Sequence, residues 1–392
     1  MEQDSLACHI CGENKLHYFD QFETFYRVTS DSKTFKKGGC LCICKKCGIV
    51  QKAVNRNWQN EVKEIYENYS LYFHSNTCDQ LIFNQTTGTY KQRVEIIIDN
   101  FKENFQSIPN SGMLLDVGCG RGAFLRAFNL QYPNWLLFGN DLNEINRTEV
   151  ESIPGVNAYI TKDLSDIDGQ YDLISLSHVL EHVPNPTILL KLIHAKLNPE
   201  GLLIIQVPDV SINSFDILVA DHCSHFTLDT LKQLVLSVDF EVCIISSNWL
   251  PKELTIIAKR RKQSNPINAN EQELPVIEAT IQKIEANLNW LQLMKNSAEK
   301  VSKKEGFGIF GTAISAIWLD SELNNAATFF CDEDPGRSDK TLLNRPILHP
   351  KDIPDFSNVF VPLIPEIAHK VINRLSRKHI YFQTVSENQI VE

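Results

Sequence analysis

Short apolar runs alternate with amphipathic stretches through the middle of the chain, from Met113 to about Lys259. The runs have the length of strands, and helices fit between most of them, so the pattern predicts a parallel, doubly wound α/β sheet. The last two runs leave no room for a crossover helix and therefore predict an antiparallel hairpin. The predicted strands are Met113–Val117, Trp135–Gly139, Gly155–Ile160, Tyr171–Ser177, Leu202–Val207, Phe240–Ser246 and Glu253–Ala258.

A second, smaller α/β pattern follows from Glu305 to Glu392. Its predicted strands are Phe307–Phe310, Thr328–Cys331, Val359–Val361 and His379–Phe382. Upstream of the central pattern, apolar residues at helical spacing predict a helix near Tyr90–Phe105, and residues 276–300 predict a connecting helix. We therefore expect a cysteine-rich module (1–52), a helical connector or lid (53–110), a central domain (111–262), a linker with a helix (263–304) and a C-terminal domain (305–392).

The charge balance narrows the choice of partners. The chain has 392 residues, with 38 Lys and Arg against 48 Asp and Glu, and a net charge of −10. Binding to a nucleic-acid backbone needs a basic footprint, so we expect no nucleic-acid partner. No apolar run approaches the ~18 residues of a membrane span, and the acidic, polar start is unlike a signal peptide. We expect a cytoplasmic protein without a membrane partner, and the oligomeric state stays open.

Six of the chain's 11 cysteines lie within the first 47 residues, and this segment contains two C-x-x-C-G motifs. The odd total and the absence of a signal peptide argue against a disulfide framework. Four thiolates in two such turns can surround one tetrahedral zinc ion, and four sulfur ligands leave no open position, so a structural role is expected. The candidate ligands are Cys8, Cys11, Cys44 and Cys47, while Cys40 and Cys42 stay open as competitors. A nucleic-acid-binding zinc ribbon is the alternative interpretation, favoured weakly by the lysines between Lys33 and Lys52.

The first central strand ends in the motif Asp116-Val117-Gly118-Cys119-Gly120-Arg121-Gly122. Alternate glycines at 118, 120 and 122 let the backbone pass close to a ligand, and Asp116 stands at the carboxyl edge where open α/β sheets bind ligands. Asp141 follows the second strand, where a carboxylate can accept both hydroxyls of a ribose. An acid before the glycines suits a cation rather than a pyrophosphate. The motif therefore favours S-adenosylmethionine over a dinucleotide.

Together with Tyr171-Asp172-Leu173-Ile174 and His178-Val179-Leu180-Glu181-His182, this motif resembles class I S-adenosylmethionine-dependent methyltransferases over Met113–Lys259. The resemblance implies that Asp116 and the three glycines lie along the methionine part of the cofactor. It also implies that Asp141 binds the ribose and that a residue near Asp163 lies beside the adenine. For Asp163 a solvated loop acid remains the alternative.

The whole arrangement resembles the sugar C-methyltransferase family, whose members act on nucleotide-linked deoxy-keto sugars and have relatives among surface-polysaccharide enzymes. The expected fold is α/β: a central doubly wound Rossmann-like methyltransferase sheet, with a small N-terminal zinc module and a smaller C-terminal Rossmann-like domain. Two local stretches, 69–75 and 221–226, support the resemblance. It implies a nucleotide-linked sugar as the small-molecule substrate, methylated at carbon or oxygen.

Methyl transfer needs a residue that deprotonates the acceptor, and histidines supply the candidates. His182 follows the fourth strand at the carboxyl edge of the sheet. The Asp221-His222 pair matches the acid-histidine pair of the resembled family, and His225 lies close by. The alternatives are that His182 packs against and caps a helix, and that His222 and His225 belong to a loop hydrogen-bond network. His178 is expected to be structural.

Two departures from the family pattern bear on the chemistry. The family has a tyrosine two residues before the acid, where this chain has Val219, and another before the His-Ser pair, where it has Phe73. Without these phenols an enolate would lack stabilisation. The departures therefore leave C-methylation and O-methylation open, with His225 as a possible compensation.

The C-terminal domain contains Gly306-Phe307-Gly308-Ile309-Phe310-Gly311, and Asp332 follows its next strand. Only Gly311 lies in the loop at the strand end, which makes a weak phosphate cradle. The domain is expected either to help hold the nucleotide of the acceptor or to be a structural companion. Two other functions remain open: an NAD(P)-dependent oxidoreductase, and a zinc-stabilised RNA- or protein-binding adaptor with a degenerate methyltransferase fold.

Overall fold

The computed structural model describes residues 6–69, 79, 81–84, 89–105, 108–261 and 277–385. Two stretches named above lie outside the described residues. One is most of the predicted linker before residue 277, and the other is residues 70–75, which include Phe73 and carry part of the family resemblance. Within the described residues, no helix has the length and apolar character needed to cross a membrane.

The N-terminal part is made of short strands and two helices. Its elements are β1 (Leu16–Tyr18), β2 (Arg27–Val28), β3 (Thr34–Phe35), β4 (Leu41–Cys44), β5 (Val50–Lys52), α1 (Arg56–Glu67), the hairpin β6 (Leu81–Asn84) and β7 (Thr89–Gln92), and α2 (Arg93–Asn104). Helix α1 begins at Asn55, whose side chain accepts a hydrogen bond from Trp58 N. Helix α2 begins three residues later than the predicted helix, because residues 89–92 pair in the hairpin instead.

The central domain contains most of the strands that the sequence predicts. Its elements are β8 (Met113–Val117), α3 (Ala123–Gln131), β9 (Leu136–Asn140), α4 (Arg147–Glu151), β10 (Val156–Ile160), β11 (Tyr171–Ser177), α5 (Pro186–Lys196), β12 (Leu197–Pro208), β13 (Ser224–His225), α6 (Leu228–Leu236), β14 (Phe240–Ser246) and β15 (Glu253–Arg260). Strand β12 starts earlier than predicted because Leu197 pairs with Tyr171 across an irregularity in the register.

The central sheet has the strand order β10-β9-β8-β11-β12-β15-β14. The pairs from β10 to β12 are parallel, and β15 and β14 are antiparallel to their neighbours, as the sequence predicts for the last two strands. Strands β8 and β11 are neighbours, so the residues that follow them meet at one carboxyl edge. The α/β fold with a mostly parallel central sheet is confirmed, and this edge is where the site forms.

The C-terminal domain is a second α/β unit with more strands than the sequence predicts. Its elements are α7 (Ile277–Ser302), β16 (Phe307–Phe310), α8 (Ile314–Glu322), β17 (Phe329–Cys331), β18 (Thr341–Leu342), β19 (Arg345–Leu348), β20 (Asn358–Phe360), α9 (Pro365–Leu375) and β21 (Tyr381–Gln383). The sheet order is β18-β19-β17-β16-β20-β21. The β18–β19 pair is antiparallel, and all other neighbouring strands are parallel. Strands β18 and β19 were missed because they are only two and four residues long.

The N-terminal module packs against both other domains. Its sheet, β1-β4-β5-β13, is completed by Ser224–His225 from the central domain. On its other side, Phe25 contacts Trp318 of α8 edge to face, with the ring centres 6.1 Å apart, in an apolar core that also contains Leu291 of α7. The segment before residue 52 therefore shares a sheet with the central domain and an apolar core with the C-terminal domain.

Candidate active site

The loop after β8 has a backbone that only glycine adopts readily. Gly118, Gly120 and Gly122 have φ angles of 69°, 50° and 76°. A Cβ atom at Gly118 would lie 2.4 Å from Val179 Cγ2, and one at Gly122 would lie 2.5 Å from Ile153 Cδ1. At Gly120 nothing lies within 4 Å of the corresponding position. The middle of the loop is therefore open on the side where a ligand would approach.

Two carboxyl groups flank this loop. Asp116 is buried, and Ser175 Oγ donates a 2.7 Å hydrogen bond to its Oδ1. Asp141 accepts a 3.0 Å hydrogen bond from the Gly120 backbone N on Oδ2. Burial raises the pKa of Asp116 to about 7, with a further contribution from the nearby charge of Asp141, and burial also raises the pKa of Asp141. Burial makes the charged forms of both carboxyl groups unfavourable, and a cationic ligand would offset this cost.

Asp163 is the third acid expected to contact the cofactor, and among the described residues it makes no hydrogen bond to Asp116, Asp141 or the glycine loop. It is exposed and stands at the start of a short 3₁₀ helix, Leu164–Asp166, where its side chain makes no capping hydrogen bond. The backbone here is held instead by Asn140, whose Nδ2 donates to the carbonyl oxygens of Ile160 (2.9 Å) and Lys162 (3.0 Å). This placement fits the solvated loop acid at least as well as an adenine contact.

His182 is held by Asp221, across two different loops. The His182 Nδ1 lies 3.3 Å from Asp221 Oδ2, and Asp221 also accepts hydrogen bonds from Ser30 N (2.9 Å) and Ser30 Oγ (2.5 Å). Burial lowers the pKa of His182, but the Asp221 carboxylate more than offsets this, so the net pKa is raised. For Asp221, burial raises the pKa, and hydrogen bonding to His182 with the nearby imidazoles brings it well below its usual range.

His222 and His225 share a different carboxylate, Asp216, which sequence reasoning missed. The Nδ1 atoms of His222 and His225 lie 2.8 Å and 2.6 Å from the two oxygens of Asp216, which is fully buried. Burial raises the pKa of Asp216, but His225 and His222 hold it far below its usual range. Burial lowers the pKa of His225 to about 4, so this ring is neutral. The acid next to His222 in sequence is therefore not its partner in space.

The two histidine pairs form one cluster. The rings of His182 and His222 meet edge to face with their centres 4.5 Å apart. Tyr66 of α1 lies beside them, with its Oη 3.3 Å from His182 Nδ1, and the ring of Tyr69 lies 5.6 Å from that of Tyr66. Burial raises the pKa of Tyr66, so the phenol keeps its proton. Helix α1 thus places the phenol of Tyr66 beside the histidine cluster, which no local motif indicated.

A buried ionic network borders the cluster at the end of β11. His178, which has a positive φ of 55°, places Nδ1 3.1 Å from Glu181 Oε1 and Nε2 3.2 Å from Glu253 Oε2. Arg93 of α2 donates to Glu253 Oε2 at 2.8 Å and to Ser177 Oγ at 2.7 Å. Burial lowers the pKa of His178, but Glu253 and Glu181 together raise it to about 9. The network ties helix α2 to the sheet edge, in line with the structural role expected for His178.

The four candidate zinc ligands come together in the N-terminal module. Cys8 Sγ lies 3.6 Å from Cys47 Sγ, and Cys11 Sγ lies 3.5 Å from Cys44 Sγ, with all four sulfur atoms within 4.8 Å of one another. The two turns have matching geometry, because the glycine after each pair has a φ of 71° and its N donates to the carbonyl oxygen of the first cysteine. Neither Cys40 nor Cys42 belongs to this cluster. Four converging thiols can hold one tetrahedral ion.

Comparison with known proteins agrees with this geometry for the central domain. Residues 90–243 match the sequence family described as "Methyltransferase domain". The ubiquinone biosynthesis O-methyltransferase of Saccharomyces cerevisiae is 30% identical over 129 residues, which is 29% of this chain and 41% of that protein. The chain therefore spans about two-fifths of the length of this relative. These matches bear out the prediction of a methyltransferase domain in the central part of the chain.

Solved structures of methyltransferases are similar to part of this chain at lower sequence identity. The plantazolicin methyltransferase BpumL in complex with S-adenosylhomocysteine is 17% identical, with a TM-score of 0.37 over 43% of this chain and 83% of its own. An S-adenosylmethionine-dependent methyltransferase from Clostridium acetobutylicum is 13% identical, with a TM-score of 0.37 over 52% of this chain and 99% of its own. Scores in this range carry no argument about substrates.

Proposed function

We propose that this protein transfers the methyl group of S-adenosylmethionine to a small-molecule acceptor bound beside the histidine cluster. One observation carries the proposal: the glycine loop with Asp116 follows β8, and the segment leading to His182 follows the neighbouring strand β11. The cofactor loop and the histidines therefore share one sheet edge. The sulfonium supplies an activated methyl group, so the protein has to position the acceptor, remove its proton and exclude water.

The cofactor side rests on residues that flank the open loop. Asp116 and Asp141 offer carboxylates to the positive methionine part and to the ribose hydroxyls, and the Gly118–Gly122 backbone leaves room for both. The acceptor side rests on His182, whose Nδ1 is held by Asp221, so that Nε2 is the nitrogen left to accept a proton. His222, held in the same way by Asp216, stands next to it as a second contact for the acceptor.

For the acceptor we propose a nucleotide-linked deoxy or keto sugar, methylated at oxygen or carbon. The family resemblance supports this class, and the Asp221-His222 pair matches its acid-histidine pair. The phenol of Tyr66, 3.3 Å from His182 Nδ1, could donate a hydrogen bond to an oxyanion where the family tyrosines are missing. The C-terminal domain would then contribute to holding the nucleotide.

The test is methyl transfer from isotope-labelled S-adenosylmethionine to a panel of keto and hydroxy sugar nucleotides, followed by hydrogen–deuterium exchange of the acceptor in deuterated buffer. Methylated product together with exchange next to the carbonyl would establish C-methylation, and product without exchange would establish O-methylation. A protein that binds S-adenosylhomocysteine but methylates no sugar nucleotide would contradict the proposed acceptor. A protein that does not bind S-adenosylhomocysteine would contradict the proposed activity itself.

We also propose that the four-cysteine cluster holds a structural zinc ion. The module has little apolar interior of its own, and structural zinc contributes apparent binding free energies of ~10–16 kcal/mol. Metal analysis should find zinc in the intact chain and lose one equivalent when Cys8 and Cys44 are both replaced by serine. A metal-free preparation with unchanged folding would contradict this role.

A further inference from the structure

The carboxylate of Glu181 lies between the ionic network at the end of β11 and the histidine cluster. Glu181 is 1% exposed, and neither of its carboxylate oxygens has a hydrogen-bond partner of good geometry among the described residues, although His178 Nδ1 lies 3.1 Å from Oε1. His178 approaches Oε1 only, so the carboxylate keeps acceptor capacity for a second cationic partner on the side of the histidine cluster.

Two imidazoles face the same space. One ligand atom each from Glu181, His182 and His222 lies within 4.8 Å of the other two. The Nδ1 atom of His182 is held by Asp221 at 3.3 Å and that of His222 by Asp216 at 2.8 Å. In the described part of the chain, neither Nε2 atom has a hydrogen-bond partner. A carboxylate on one ring nitrogen, with the other nitrogen left free, is the arrangement that orients histidine ligands toward a metal ion.

We propose that Glu181, His182 and His222 form a binding site for one divalent transition-metal ion, separate from the four-cysteine cluster. Two imidazoles and one carboxylate suit zinc, iron(II), cobalt(II) or nickel(II), whereas magnesium and calcium prefer oxygen ligands alone. Three protein ligands leave coordination positions open, unlike the closed set of four sulfur atoms. The ring–ring contact of His182 and His222, 4.5 Å between centres, gives the two ligands a fixed relative position.

The proposed ion would lie on the acceptor side of the sheet edge, where an open position could bind an oxygen of the acceptor and polarise it. Only this last role depends on the proposed methyl transfer. Such an ion would stabilise a negative oxygen in a chain that has Val219 where the resembled family has a tyrosine. With the ion bound, His182 is a ligand and not the base of the proposed transfer, because a lone pair bound to a metal cannot take a proton, so the metal count below also decides between these two roles.

The experiment counts metal in the full-length protein. After dialysis against a chelator, which should spare the closed sulfur site, cobalt(II) is titrated and followed by absorption and by elemental analysis. We expect one additional equivalent whose spectrum lacks the sulfur-to-cobalt charge-transfer bands of a thiolate site. Saturation without any additional equivalent would overturn the proposal and leave the methyl-transfer activity untouched.

Variants locate the additional ion. Glu181→Gln keeps the shape of the side chain and should abolish the additional equivalent, while Asp216→Asn should weaken it by roughly 10–100-fold through its effect on His222. Glu366→Gln, at an exposed ion pair with Lys370, is the matched control and should bind as the parent protein does. Unchanged cobalt affinity in both Glu181→Gln and Asp216→Asn would refute the site. Circular dichroism of each variant separates loss of the ion from loss of the fold.

Discussion

The chain contains two parallel sheets with the same local plan but different contents at their ligand edges. In each, a glycine-containing turn follows a strand and an acid follows the neighbouring strand: Gly118 and Asp141 in the central domain, Gly311 and Asp332 in the C-terminal domain. In the central domain three glycines with positive φ leave the loop open, and Asp141 binds the loop only through backbone N–H groups and Asn143.

In the C-terminal domain the corresponding acid, Asp332, is bound by side chains of the same domain. Thr312 Oγ1 donates to Asp332 Oδ2 at 2.6 Å, and Arg337 Nη1 lies 3.3 Å from the same oxygen. A Cβ atom at Gly308 would lie 2.3 Å from the Phe329 ring, so this glycine serves packing rather than a ligand. The letters G-x-G-x-x-G therefore reflect strand packing at Gly308 and do not by themselves indicate an NAD(P) site. What distinguishes the two edges is whether the acid is free of side-chain cations.

The largest effect that separates the two edges should come from removing these acids. Asp141→Ala should weaken S-adenosylhomocysteine binding by about 100-fold or more, since charge-assisted hydrogen bonds contribute ~1.5–3 kcal/mol each. Asp332→Ala should change the affinity by less than about twofold, because its carboxylate is used by Thr312 and Arg337. Isothermal titration calorimetry of both variants measures the difference. Equal losses in the two variants would show that the edges do not differ as described.

The next largest effect should come from replacing a glycine at each edge by alanine. Both replacements create a steric clash, but only the one in the central domain should weaken cofactor binding. Gly118→Ala places a Cβ against Val179 in a backbone with a φ of 69°, so we expect about a tenfold or greater loss of S-adenosylhomocysteine affinity along with lower stability. Gly308→Ala, which meets the Phe329 ring, should cost about 1–3 kcal/mol of stability through overpacking and leave the affinity of the folded protein unchanged. Thermal unfolding and calorimetry together measure both quantities. Loss of S-adenosylhomocysteine binding in a folded Gly308→Ala protein would contradict the prediction, because it would show that the C-terminal edge also affects cofactor binding.

Features with local causes could be predicted from the sequence, and the central edge has many of them. The strands around Asp116 follow from runs of apolar residues. The three glycines and each cysteine pair stand at spacings that a single turn dictates, and Asp141 follows the next predicted strand. Strand β13 was missed, because its pairing with β5 depends on the approach of two segments far apart in sequence. The same holds for the connection between domains, where Phe25 packs against Trp318.

The acceptor side could not be predicted because its partners are set by tertiary contacts. The sequence places Asp221 next to His222, yet Asp221 pairs with His182 and Asp216 takes His222. Successive side chains point in different directions, so adjacency in sequence does not imply contact. Tyr66 comes from helix α1, more than a hundred residues from His182, and no spacing rule relates the two.

The pH dependence of cofactor binding should sharpen the comparison further. The pKa of Asp116 is raised to about 7 by burial, and a cationic ligand prefers the ionised form. As the pH falls below about 7, Asp116 takes up a proton, and the affinity for S-adenosylmethionine should decline by up to about tenfold per pH unit. Asp116→Asn should bind weakly at every pH and remove this limb, whereas Asp332→Asn should retain it. A parent protein with affinity independent of pH between 5 and 8 would contradict the role given to Asp116.

The smallest effects should have opposite signs at the two edges. Because the folded-state pKa of Asp116 lies above its ordinary value of 3.8, the unfolded chain releases this proton first, and stability falls as the pH rises from about 4 to 7. Asp116→Asn removes that ionisation and should stabilise the ligand-free protein at pH 8 by about 1 kcal/mol or more, as expected where an active site is held at the expense of stability. Asp332→Asn should instead destabilise it by about 0.5–1.5 kcal/mol, because the charge that pairs with Arg337 is lost. Denaturant unfolding at pH 8 measures both shifts, with Glu366→Gln as an exposed control. Destabilisation of similar size in both variants would mean that Asp116 serves the fold in the same way as Asp332, and that the central edge is not prepared for a cation.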